Sequence, residues 1–170
     1  YPDPDNTNWY CLGDYSDTGT LGELQQAKNQ FDGARLPYYL TIGDHDMWDC
    51  RNRGQASTCN YSQLFGSSYQ SFEISGVRFL ILDNADNYLG VDGVAMSWLE
   101  EELSRIKASS PKLIFALMQE PLYHPSSDHF MGKATPSLVP QAQKIADLLK
   151  NAGVAEVITG DVHFFTQYTD

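Results

Sequence analysis

Leu36-Pro37-Tyr38-Tyr39-Leu40-Thr41-Ile42-Gly43-Asp44-His45-Asp46 is the stretch that decides the fold. Pro37 to Ile42 is rich in tyrosine and branched side chains, which suit a half-buried strand. The run breaks at Gly43, and three polar residues follow at once; Gly-Asp is a turn signal. The same layout recurs in Leu12-Gly13-Asp14, in Leu117-Met118-Gln119-Glu120-Pro121 and in Thr159-Gly160-Asp161-Val162-His163. In layered α/β proteins the loops at strand ends converge on one edge, and ligands bind there. The four pieces are therefore expected to build one polar site. Its carboxylates and imidazoles are groups that hold metal ions.

The segments between these tips alternate in type. Asn8 to Leu12 is a short apolar strand. Thr20-Leu21-Gly22-Glu23 has capping-box spacing, so a helix starts there; Leu21, Leu24, Lys28 and Phe31 follow its face, and Gly33 is expected to end it. Asp46 to Tyr69 reads as long, polar and irregular. Gln70 to Ile74 and Val77 to Asp83 read as paired strands around Ser75-Gly76. Val94 to Ala108 is a helix with Leu99, Leu103 and Ile106 on one face. Lys112 to Met118 is nearly all apolar, as in a strand buried on both faces. Gln119 to Ser137 is a second long loop. Leu138, Ala142, Ile145 and Leu149 mark the last helix, closed at Asn151-Ala152-Gly153. Val154 to Thr159 reads as a buried strand, and Val162 to Tyr168 as another. This order implies one α/β domain over residues 1–170, with helices covering mixed sheets.

Composition narrows the function. Of 170 residues, 42% are apolar, enough for one core. The net charge of −11, with 19% charged residues, argues against nucleic acid and against an anionic membrane surface, both of which need clustered cations. No run approaches the length of a membrane helix. The opening Tyr1-Pro2-Asp3-Pro4 shows no signal peptide and reads as an internal cut or mature terminus. Cys50 and Cys59 flank a polar loop and are expected to close it as a disulfide, two free thiols being the alternative. Cys11 reads as a small buried hydrophobe. Asn60-Tyr61-Ser62 is a glycosylation sequon. Together these lean toward an extracytoplasmic or secreted protein.

The whole chain resembles the calcineurin-like metallophosphoesterases, in particular their cyclic-nucleotide phosphodiesterase and acid-phosphatase-like branch. Gly13-Asp14-Tyr15-Ser16-Asp17-Thr18-Gly19 resembles the GDxxDxG element of that family, and Leu36 to Asp46 its strand and loop ending in GNHD. Tyr69 to Asp83 resembles the middle hairpin and Trp98-Leu99-Glu100-Glu101-Glu102-Leu103 the WLeeeL helix. Gln119-Glu120-Pro121 stands where the family has HHP, and Gly160-Asp161-Val162-His163 where it has GHxH. The resemblance implies a layered α-β-β-α sandwich with mixed sheets, here truncated at both ends. It implies a phosphoric ester hydrolase whose two divalent metals clamp the phosphate and activate a water. Position by position it implies Asp14, Asp44, Gln119, Asp161 and His163 as metal-site residues and His45 as the catalytic acid. Asp17 and Asp46 would hold the loops.

The departures shift the expected chemistry. No DxH motif precedes Asp14, so a first strand and two ligands are missing. A further segment or chain is one source for them. Asp44 replaces an Asn, and Gln119 and Asp161 replace histidines. Imidazole suits Zn, Fe and Mn, whereas carboxylate and amide oxygens suit Mg, Ca and Mn. Asp14, Asp44 and Asp161 together would repel and take up protons unless a cation sat among them. Two readings follow: a hydrolase of phosphate esters with weak activity and an altered metal, or a non-catalytic module keeping the fold, with one Ca or Mg ion or none. His124 and His129 are expected to be solvated loop residues, Glu120 has no assigned role, and Ser126-Ser127 lacks a neighbouring base.

Overall fold

The computed structural model describes residues 7–169; the Tyr1-Pro2-Asp3-Pro4 reading lies outside the described residues. Strand β1 (Trp9–Leu12) leads through helix α1 (Leu21–Ala34) to β2 (Tyr38–Thr41), which lies parallel to it, with Cys11 opposite Leu40. The short helices α2 (Trp48–Asn52) and α3 (Cys59–Phe65) follow. Strands β3 (Gln70–Ile74) and β4 (Val77–Ile81) form an antiparallel hairpin. Ser75 and Gly76 both take positive φ at its turn, the conformation that matches strand twist. Helix α4 (Gly93–Ser109) carries the chain to β5 (Leu113–Met118), parallel to β4. Helix α5 (Val139–Ala152) carries it to β6 (Glu156–Thr159), parallel to β5. The sheets are thus β1-β2 and β3-β4-β5-β6.

Side-chain alternation sorts these elements into layers. Leu80, Ile114, Ala116 and Met118 pack against Leu99, Leu103 and Ile106 of α4 and Ala142, Ile145 and Leu149 of α5. Leu24, Leu40, Ile42, Met47 and Tyr61 form a second core beneath α1 and α3. The opposite strand faces meet through rings, Tyr39 stacking on Phe72 at 3.8 Å and Tyr10 on Phe79 at 5.1 Å between centroids, while Phe79 stacks at 5.7 Å on Phe115 of the neighbouring strand in its own sheet. The result is the α-β-β-α order expected from the sequence. None of the described helices is long and apolar enough to cross a membrane.

Several expectations change. Helix α1 runs past Gly33 and ends at Arg35, which takes the left-handed cap at φ 56°. The segment from Asp46 to Tyr69 is not irregular. The Cys50–Cys59 disulfide ties α2 to α3, and the Asn60 side chain donates to the Gly19 carbonyl and to Asp49, both at 2.8 Å. Asn60 is 5% exposed, so in the folded chain the sequon is a packing residue rather than a glycan acceptor. Cys11 is half-buried. Strand β6 is not buried: Val157 and Ile158 are 40% and 38% exposed, because β6 is the edge of its sheet. Val162 to Tyr168 forms no strand. Asp161 and His163 take φ of 65° and 62°, outside extended geometry, and Phe165 is 93% exposed.

Candidate metal centre at the strand tips

The four motif loops meet at one edge of the sheets, and glycine is what lets them touch. A Cβ on Gly13, at φ 93°, would lie 2.7 Å from Gln119 Cγ and 2.8 Å from Gly43 Cα. One on Gly43 would lie 2.1 Å from Asp14 Oδ1. Asp46 then fastens two loops together. It is fully buried and accepts from Gly43 N at 3.0 Å, Ser16 N at 3.1 Å and Ser16 Oγ at 2.7 Å. A second clamp sets the third loop: Asn84 donates to the Glu120 carbonyl at 2.6 Å and accepts from Glu120 N at 3.1 Å. The fourth docks through Gly160 N on the Gln119 carbonyl at 3.0 Å.

These constraints bring Asp14, Asp44 and Asp161 together, with one oxygen from each all within 4.8 Å of one another. Gln119, 1% exposed, points its Nε2 among them, at 3.5 Å from Asp14 Oδ2, 3.2 Å from Asp44 Oδ1 and 3.3 Å from Asp161 Oδ1. Its Oε1 is buried without a hydrogen-bond partner. Asn87 Nδ2 donates to Asp44 Oδ2 at 3.1 Å. His129 Nδ1 lies 3.6 Å from Asp161 Oδ2, and its ring centroid is 5.1 Å from that of His163. His45 stacks on Trp48 at 3.9 Å and its Nδ1 meets the Asp17 carbonyl at 2.7 Å. A cavity of about 270 Å³ opens among Asp14, Asp44, His45, Glu120, Asp161 and His163.

The electrostatics favour a positive guest. Burial, then Asp44 and Asp46, push the Asp14 carboxyl up to about 6. Burial, with Asp161 and Asp44, pushes Glu120 up to about 8. Asp161 is raised by burial, against a lowering by His129. Burial would lower His45, but the Asp17 carbonyl and the carboxylates of Asp14 and Asp44 hold it above the ordinary histidine value. Crowded acids that retain protons lose them when a cation takes the repulsion away. The donor set is mostly carboxylate oxygen, which suits a hard divalent ion.

Comparison with known proteins agrees with this geometry. Residues 2–165 match the calcineurin-like phosphoesterase family model. The chain belongs to that family. This calcineurin-like phosphoesterase domain is 29% identical over 145 residues to purple acid phosphatase 23 of Arabidopsis thaliana, covering 78% of the chain and 29% of that protein. It is 28% identical over 140 residues to the serine/threonine-protein phosphatase CPPED1 of Homo sapiens, covering 75% of the chain and 42% of that protein. The CPPED1 of Rattus norvegicus is 27% identical over 138 residues. The chain thus spans under half the length of these relatives.

Within the phosphoesterase domain, all six residues singled out in the sequence reach the site. Asp14, Asp44 and Asp161 form the cluster, Gln119 contacts all three, and His45 and His163 line the cavity. Asp46 holds loops as expected, and Asp17 contributes its carbonyl. His129 is an exposed loop residue as expected, and its Nδ1 nonetheless lies 3.6 Å from Asp161 Oδ2 at the cavity rim. His124 is not solvated: it is 4% exposed, and its Nδ1 accepts from Ser126 N and Ser127 N. Glu120 lines the cavity with a buried, unpartnered Oε2. The sequence signal for Glu120 is its place at the second histidine of the HHP element that Gln119-Glu120-Pro121 resembles. His129 lay in a loop flagged only by its length and histidine content.

Proposed function

We propose that this domain binds a divalent cation through Asp14, Asp44 and Asp161, with His163 beside them, and uses it to hold a phosphate ester. Mg, Ca and Mn fit the oxygen-rich donors best, with Zn and Fe less favoured. The observation that carries this reading is the carboxylate triad, whose ligand atoms lie within 4.8 Å at a cavity lined by His45 and His163. The family and the phosphatase names of its relatives supply the reaction class, hydrolysis of phosphoric mono- or diesters.

A bound divalent ion supplies charge for the phosphoryl oxygens and a more acidic water. The protein's own groups do the rest. Asp46 and the glycine contacts keep the triad from drifting. The Asp17 carbonyl accepts the Nδ1 proton of His45 and fixes the ring at the cavity wall, and the imidazolium, held above the ordinary histidine value, is the acid that passes a proton to a leaving oxygen. His129 Nδ1 lies 3.6 Å from Asp161 Oδ2 with the His163 ring 5.1 Å from its own, so two imidazoles flank the cavity that would receive an anionic ester. Turnover is slow, because Gln119 and Asp161 stand where the family resemblance calls for histidines. The first strand and the DxH pair that the resemblance implies would be supplied by a further segment or by another chain. The Cys50–Cys59 bridge supports an oxidising, extracytoplasmic setting.

A second reading has its own observation. The Gln119 amide already satisfies the triad in part, as suits a non-catalytic module that keeps the fold. The two separate in one experiment: hydrolysis of an aryl phosphate ester with Mn, Mg, Ca or Zn supplied in turn. Metal-dependent turnover abolished by Asp14→Ala supports the hydrolase. Saturable cation binding with no turnover above background supports the module.

A further inference from the structure

We propose that Gln119 is a built-in rival of the cation, an amide donor lodged among the three carboxylates whose grip sets whether a divalent ion enters. The inference rests on the cation reading above. Nε2 faces one oxygen each of Asp14, Asp44 and Asp161 at 3.2 to 3.5 Å, the same three carboxylates that gather to offer ligand atoms. Two N–H groups are therefore shared among three acidic acceptors. Hydrogen bonds to charged acceptors are stronger than neutral ones, so the metal-free cluster is held together rather than blown apart.

The other end of the amide shows what this arrangement costs. Oε1 is buried with no partner, and an unmade bond on a buried acceptor is unfavourable. The side chain keeps that orientation because three carboxylates outweigh one orphaned oxygen. It has no room to swing away, being 1% exposed with its Cγ pressed toward Gly13. The planar amide thus has two settings of the same shape, Nε2 inward as seen or Oε1 inward after a half-turn. Only the second offers an ion an oxygen. An ion must first displace the donor from all three carboxylates, and that loss is subtracted from its affinity. Gln119 therefore determines the selectivity of the site between an ion and no ion.

The test compares the unmodified chain with Gln119→Met, which keeps length and removes the donor. The expected result at mildly alkaline pH is a Tm in chelator lowered by several degrees, and Mn and Ca affinities by calorimetry raised at least about tenfold, the worth of one charge-assisted hydrogen bond. Equal or weaker binding by Gln119→Met, with saturable binding by the unmodified chain, overturns the rival and leaves the cation reading standing. No binding heat from either chain overturns both. Should Gln119→Met not fold, the side-chain amide resonances of Gln119 in the unmodified chain decide. They should move in step with Ca binding, and resonances that stay fixed while Ca saturates the chain refute the proposal.

Discussion

The buried carboxylate of Asp46 accepts the backbone N–H of Gly43 at 3.0 Å, three residues back along the chain. With its bonds to Ser16 it joins the loop that carries Asp44 to the loop that carries Asp14. Asp46→Ala should therefore damage stability and site together. Leaving buried N–H groups unpaired costs about 3 kcal/mol, or roughly 6–12 °C in Tm for a chain of this size. Calorimetric melting checks the stability. Cation binding should weaken in the same variant although Asp46 is no ligand, and an Asp46→Ala chain with unchanged Tm would contradict the stapling role.

Protons should compete with the cation for the fold itself. Asp83 is pushed up to about 6 and Glu120 to about 8, in each case first by burial. Unfolded carboxyls titrate near 4. These groups bind more protons folded than unfolded, so their stabilisation is complete below about pH 4 and is lost as pH rises through 6 and then 8. In chelator, Tm should fall by several degrees between about pH 5 and pH 8.5, and Mg or Ca should flatten the slope. A Tm that climbs across this window in chelator would refute the assignment.

Metal preference should follow the donor atoms. Gln119→His with Asp161→His replaces an amide and a carboxylate by imidazoles. Zn affinity, read by competition with a fluorescent chelator, should rise by about tenfold or more, while Ca affinity falls. A Ca preference left intact would show that neither side chain faces the ion.

Thiol counting under denaturing, non-reducing conditions should return one free thiol, that of Cys11. Three would refute the bridge. Reduction should cost about 2–3 kcal/mol, the loop-closure value for a short loop, seen as a lower urea midpoint.

The tips were legible because their signals are local. An apolar run broken by Gly-Asp or Gln-Glu-Pro says where a strand ends and what it presents, whatever lies around it. The Thr20–Glu23 capping box is local too, and both halves form, with Glu23 N to Thr20 Oγ1 at 3.3 Å and Thr20 N to Glu23 Oε2 at 3.0 Å. What stayed hidden depends on distant partners. Asn60 reads as a sequon until Gly19 and Asp49 are seen to claim its amide. Val154 to Thr159 reads as a core strand, because hydrophobicity does not tell a centre from an edge. His129 joins the site because of where Asp161 lies, and nothing in its own neighbours says so. The direction of the Gln119 amide is set by the carboxylates around it and has no counterpart in sequence.

The open flank of β6 bears on how the protein behaves in bulk. Its bonded neighbour is β5, and among the described residues no strand covers its other side. A row of backbone donors and acceptors beside half-exposed Val157 and Ile158 is adhesive toward any extended chain, including another copy. The net charge of −11 holds copies apart, but only over a screening distance of about 8 Å at physiological ionic strength. Solutions should therefore scatter least light in dilute buffer and grow turbid as salt is added. Val157→Lys should clear them.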